Sequence, residues 1–78
     1  MSVVIKGVEP GSLAAKKKIR PGDTLVAINK NPIRDVLDYR FYMTSSLVDL
    51  HLRRDDKSLL LRVRKGEYDD LGLEFETY

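Results

Sequence analysis

The sequence predicts a mostly β fold with two helices, a partly open five-stranded β-barrel or sandwich capped by two α-helices, as one domain over residues 1–78. Three observations carry this expectation. Apolar residues alternate with polar ones in short stretches, the period of strands with one buried face. Two other stretches shift to a period of about 3.6, the signature of a helix. Between them stand Pro-Gly and asparagine-rich turns, and no linker or repeat interrupts the pattern. Helices with apolar stripes must bury them, so one small sheet with the helices over its openings is the economical packing.

The elements follow in the order β-α-β-α-β-β-β. Val3-Val4-Ile5 is β-branched and opens the first strand, which ends at the Pro10-Gly11 turn. Ser12 is placed to cap a helix over Leu13–Lys18, because its hydroxyl can accept from a free first-turn amide and alanine and lysine favour helix. Arg20-Pro21-Gly22-Asp23 stops that helix. Thr24–Asn29 has strand composition, and Asn29-Lys30-Asn31-Pro32 has turn chemistry before Ile33 returns the chain to the core. Asp35 caps a second helix over Val36–Met43, with Asp38 near its positive end. That helix carries two apolar stripes, Val36, Tyr39, Tyr42 and Met43 on one and Leu37 and Phe41 on the other, so it asks for two contacts. Val48, Leu50 and Leu52 alternate with polar residues, Arg54-Asp55-Asp56-Lys57 turns, and Leu59, Leu61 and Val63 alternate back, a hairpin with one buried face. After Gly66–Asp70, the segment Leu71–Glu76 alternates once more.

Composition narrows the function. A chain of 78 residues buries only about 60–65% of its unfolded surface, leaving little room for an enclosed catalytic cleft. It contains no cysteine, hence no disulfide and no thiolate ligand, which suits a reducing cytoplasm. The first residues lack the basic head and long apolar run of a signal peptide, so the expectation is a soluble, cytoplasmic domain with no membrane partner. A net charge of +2 is no nucleic-acid-binding field. Lys16, Lys17, Lys18 and Arg20 lie on a different element from Tyr39, Phe41 and Tyr42, so they read as a solvated face beside core aromatics. His51 is the only histidine and sits on the polar side of a strand, which leaves no partner for metal binding or for nucleophilic chemistry at a serine. No catalytic residue, metal site or cofactor is expected in this chain.

Val8-Glu9-Pro10-Gly11-Ser12-Leu13-Ala14-Ala15, then Ile19–Asn29 with its Pro21-Gly22-Asp23, then Pro32-Ile33, resembles the corresponding block of bacterial-type PDZ domains, those attached to periplasmic and intramembrane proteases. The resemblance implies a peptide-binding fold in which an apolar-Gly-apolar loop leads into the strand that pairs with ligand. Leu71-Gly72-Leu73, followed by Glu74 and Phe75, matches that loop. Here it comes last, so the resemblance implies a circularly permuted strand order in which the first strand follows the groove strand in space. Lys18 and Lys30 stand where the family has glycine, which implies left-handed backbone at both. Arg34–Tyr42 and Asp70–Glu76 are further similar to the amino-terminal PDZ region of bacterial radical-SAM-like iron-sulfur oxidoreductases. That similarity implies a longer parent whose iron-sulfur cluster is held downstream of this chain.

The resemblance thus outlines a peptide groove from Leu71, Gly72, Leu73, Glu74 and Phe75 on one side and Val36, Leu37, Arg40 and Phe41 on the other. Local sequence alone also accommodates an ordinary edge strand with a glycine bulge, and plain core roles for Leu37 and Phe41. Asp69 and Asp70 precede the loop and oppose an incoming carboxylate, with Arg64, Lys65 and Arg40 as the cations within reach. Two functions follow: a module that binds a polypeptide segment by β-augmentation, or a structural docking domain whose groove is filled by a neighbouring domain of the same protein.

Overall fold

A computed structural model describes residues 2–67 and 69–76. Among these the strands are β1 (Val3–Val8), β2 (Thr24–Ile28), β3 (Asn31–Pro32), β4 (Leu47–Arg54), β5 (Lys57–Arg64) and β6 (Leu73–Phe75), and the helices are α1 (Leu13–Lys16) and α2 (Val36–Tyr42). The strands form one open antiparallel sheet in the order β5-β4-β2-β1-β6, with β3 paired to β2. The mostly β architecture with two helices is the expected one.

Local chemistry explains most boundaries. The Ser12 hydroxyl accepts from the Ala15 amide at 3.1 Å, and the Asp35 carboxylate accepts from the Asp38 amide at 3.0 Å, so both predicted caps close their helices. Helix α1 ends at Lys16, two residues short of the expected Lys18, because Lys18 turns left-handed at φ 63°. The Lys18 amide then donates to the Ala15 carbonyl at 3.0 Å and the Ile19 amide to the Ala14 carbonyl at 3.1 Å, the paired bonds that end a helix on a left-handed residue.

The strand count differs from expectation by the two-residue β3. Asn29 at φ 52° and Lys30 at φ 68° form a two-residue hairpin loop that pairs Ile28 with Asn31 and Ala27 with Pro32. The last strand is shorter than the expected Leu71–Glu76, since the Leu71 carbonyl is drawn away to the Ala14 amide at 2.9 Å. In β1 a bulge between Ile5 and Gly7 leaves Lys6 as the extra residue opposite β6.

The core gathers Ile5, Leu25, Ile28, Ile33, Val48, Leu50, Leu52, Val63 and Leu71 with Val36, Tyr39 and Met43 from α2. A buried carboxylate, Asp23, fastens the turn after α1 to the β4 end: it accepts from Arg54 Nε and Nη2 at 2.8 Å each and from the Arg20 amide at 3.0 Å. His51 is not the fully solvated residue its strand position suggests. It is half-buried between its cross-strand neighbours Ala27 and Leu60, and its Nε2 is shielded with no hydrogen-bond partner among the described residues.

Candidate functional site

Among the described residues strand β6 pairs only with β1 and so ends the sheet on one side. A terminal strand keeps a row of backbone donors and acceptors available to another extended segment. The opposite terminal strand, β5, is longer but displays Lys57, Arg62 and Arg64, the charged side chains that discourage edge pairing. What distinguishes β6 is α2 beside it. Between the two runs a groove of about 240 Å³ lined by Val36, Tyr39 and Arg40 from α2 and Leu73, Glu74 and Phe75 from β6, with Lys6 and Asp70 at its rim. That volume lies below the roughly 300–1,000 Å³ of small-molecule sites, and a strand edge with shallow side-chain pockets suits polypeptide better.

The loop entering β6 is stitched to the rest of the fold. The Gly72 carbonyl accepts from the Glu9 amide at 2.9 Å, and the Leu71 carbonyl from the Ala14 amide at 2.9 Å. Gly72 adopts φ +91°, and a Cβ there would stand 2.4 Å from the Ser12 Cβ. Glycine is therefore required twice, for the left-handed backbone and for the close approach of α1.

Tyr39 dominates the loop end of the groove. It is 2% exposed and packs edge-on against Phe75 with ring centroids 4.8 Å apart, and its hydroxyl donates to Asp70 Oδ1 at 2.6 Å. The same Oδ1 accepts from the Gly72 amide at 2.9 Å. Burial, then the hydrogen bond to Asp70 and its charge, raise the Tyr39 phenol well above its ordinary range, and backbone hydrogen bonding from Leu73 and Leu71 acts the other way. The phenol is thus a fixed donor at neutral pH. Lys65 is no cation for this loop, because its buried ammonium donates to the carbonyls of Met43, Gly66 and Glu67.

Of the residues named from sequence, Val36, Arg40, Leu73, Glu74 and Phe75 meet in the groove, and Leu71 and Gly72 are buried in the loop at its end. Leu37 and Phe41 do not line it. They are 70% and 72% exposed, and Phe41 borders a separate depression with Asn31, Pro32, Arg34, Asp38 and Tyr42. Three residues of the site escaped the sequence reading. Tyr39 reads as plain core from its helical stripe, Lys6 reaches the groove only through the β1 bulge, and Asp70 reads as a repelling charge. A phenol on the buried stripe of a groove helix is the one signal that pointed here, since a buried tyrosine hydroxyl needs a partner.

A larger depression of about 360 Å³ on the β4–β5 face is lined by Ala27, Leu50, His51, Leu60, Leu61 and neighbouring charged residues. It lies on the face of the paired strands β4 and β5, with no α2 residue in its lining.

The sequence model of the family described as PDZ domain matches residues 4–54, from β1 through β4. The loop and β6 lie beyond the matched span. No curated protein matches the chain.

Proposed function

The chain belongs to the PDZ domain family, whose members are in general non-catalytic modules that bind polypeptide, and on that premise we propose that the α2–β6 groove takes an extended polypeptide segment as an added strand on β6. The observation that carries this reading is the coincidence of a terminal strand with a side-chain groove along it. Leu73, Glu74 and Phe75 supply the pairing edge and one wall, Val36 and Arg40 the other, and Leu71 and Gly72 shape the loop end. Titrating the domain with a pool of hexapeptides while following backbone amide resonances tests it. Shifts should concentrate on Leu73–Phe75 and on Val36 to Arg40. Shifts confined to the β4–β5 face would overturn it.

A second reading rests on the exposed pair Leu37 and Phe41, four residues apart and therefore on one face of α2. In it this apolar face, or the groove, docks on an adjacent domain of the same protein. The similarity of Arg34–Tyr42 and Asp70–Glu76 to the amino-terminal region of bacterial radical-SAM-like iron-sulfur oxidoreductases supports such a parent. The groove strand comes last in the chain order, in keeping with a circularly permuted arrangement. The chain itself does not fit an iron-sulfur cluster, since it supplies no cysteine thiolate. A cluster would belong to residues outside it, in a cytoplasmic protein. Reading the native sequence beyond Tyr78 decides the parentage: a cysteine triad supports it, and a downstream region without cysteines sinks it.

A further inference from the structure

An apolar-Gly-apolar loop can hold a ligand's terminal carboxylate only if its amides are available. Here the central one is engaged from within. The Gly72 amide donates to Asp70 Oδ1 at 2.9 Å, and Tyr39, reaching across from α2, donates its hydroxyl to the same oxygen at 2.6 Å. The Tyr39 ring, buried against Phe75, lines the groove beside that oxygen.

We infer that Asp70, clamped by Tyr39 and Gly72, stands in for a ligand's terminal carboxylate, so that the groove takes an extended segment by its backbone and gives a free C-terminus no advantage. The inference rests on the groove reading above. An incoming carboxylate would exchange one acceptor for another of the same chemistry, with no hydrogen bond gained. It would still lose translational freedom and meet the displaced Asp70 charge in a partly shielded site. An internal segment pairs with β6 by its backbone and needs none of the loop amides. Asp70 is then the specificity-determining residue, acting by occupancy and not by charge repulsion alone.

Two substitutions separate those causes. Asp70→Asn keeps an Oδ1 acceptor for Tyr39 and Gly72 but removes the charge, whereas Asp70→Ala removes both. The probes are matched hexapeptide pools, one with free C-termini and one amidated, titrated into the full 78-residue chain. Wild type and Asp70→Asn should favour neither pool by more than about threefold, and Asp70→Ala should favour the free acids by about tenfold or more. A tenfold acid preference in wild type overturns the inference. So does an acid preference appearing equally in Asp70→Asn and Asp70→Ala, which would make charge the cause. A ligand-free measurement keeps this distinct from the groove reading. Hydrogen exchange at the Gly72 amide should accelerate about tenfold or more in Asp70→Ala and little in Asp70→Asn. An unchanged Gly72 rate in Asp70→Ala overturns the occupancy even where peptides bind. Accelerated exchange in a protein whose groove resonances ignore both pools upholds the occupancy and overturns the groove reading instead.

Discussion

Replacing Lys18 with glycine should stabilise the domain, although it deletes a side chain from the end of a helix. Lys18 holds φ at 63° because two bonds demand it: its own amide to the Ala15 carbonyl at 3.0 Å and the next amide, Ile19, to the Ala14 carbonyl at 3.1 Å. A left-handed backbone costs an L-residue about 1–2 kcal/mol through the clash of Cβ with the carbonyl. Glycine escapes that clash but gives up about 0.5–1 kcal/mol more chain entropy on folding. The difference is a net gain of about 0.5–1 kcal/mol. In a domain of this size 1 kcal/mol moves the melting temperature by roughly 4–8 °C, so Lys18→Gly should raise it by about 2–8 °C. Lys30, at φ 68° in the β2–β3 hairpin, should respond in the same direction but less cleanly. Its charge helps hold the Asp49 carboxyl below the ordinary range, behind the larger effect of Arg62, and that small attraction is lost. Thermal melts and urea titrations of wild type, Lys18→Gly and Lys18→Ala decide the matter. Alanine keeps the Cβ and should gain nothing. A melting temperature lowered by glycine, or raised equally by alanine, would refute the argument from backbone strain.

Two further outcomes follow from the packing. The hydrogen bond from Arg54 above all holds the Asp23 carboxyl below its ordinary value of 3.8; its contribution is complete above that value and lost as pH falls through the lower folded-state one. Urea midpoints should therefore drop below about pH 4 in wild type. Asp23→Asn should flatten that part of the profile and lower the urea midpoint at neutral pH, because Arg54 loses its anion; a variant that keeps the wild-type acid profile would assign the drop to other carboxylates. Phe75→Ala removes a ring that is 9% exposed and stacked edge-on with Tyr39, and should cost about 3–5 kcal/mol, enough to unfold much of so small a domain. A loss under about 1 kcal/mol by urea titration would show that β6 contributes little to the core.

What the sequence determined by itself is what short-range chemistry decides. Ser12 and Asp35 accept from amides three residues on, so their caps are visible in a window of four residues. The alternation of Val48, Leu50 and Leu52 with polar neighbours states which face of β4 is buried, because the strand period leaves no second solution. The left-handed turns at Lys18 and Lys30 were legible only through the family resemblance, which has glycine at both positions, because lysine carries no local signal for that backbone.

Tertiary structure alone decided the composition of the site. Whether a residue of α2 lines the groove depends on how the helix is rotated against β6, and that is set by what the whole core buries. The core takes Val36, Tyr39 and Met43 and leaves Leu37 and Phe41 facing outward, a choice that two apolar stripes on one helix could not express. Lys6 enters the groove through a one-residue slip between β1 and β6, a register fixed by partners 70 residues apart in the chain, from Ile5 to Phe75. Asp70 shows the limit most directly. In sequence it is a negative charge beside a loop, and only the arrival of the Tyr39 hydroxyl from 31 residues away makes it the loop's own occupant, because a hydrogen bond is decided by distance in space and sequence records only distance along the chain.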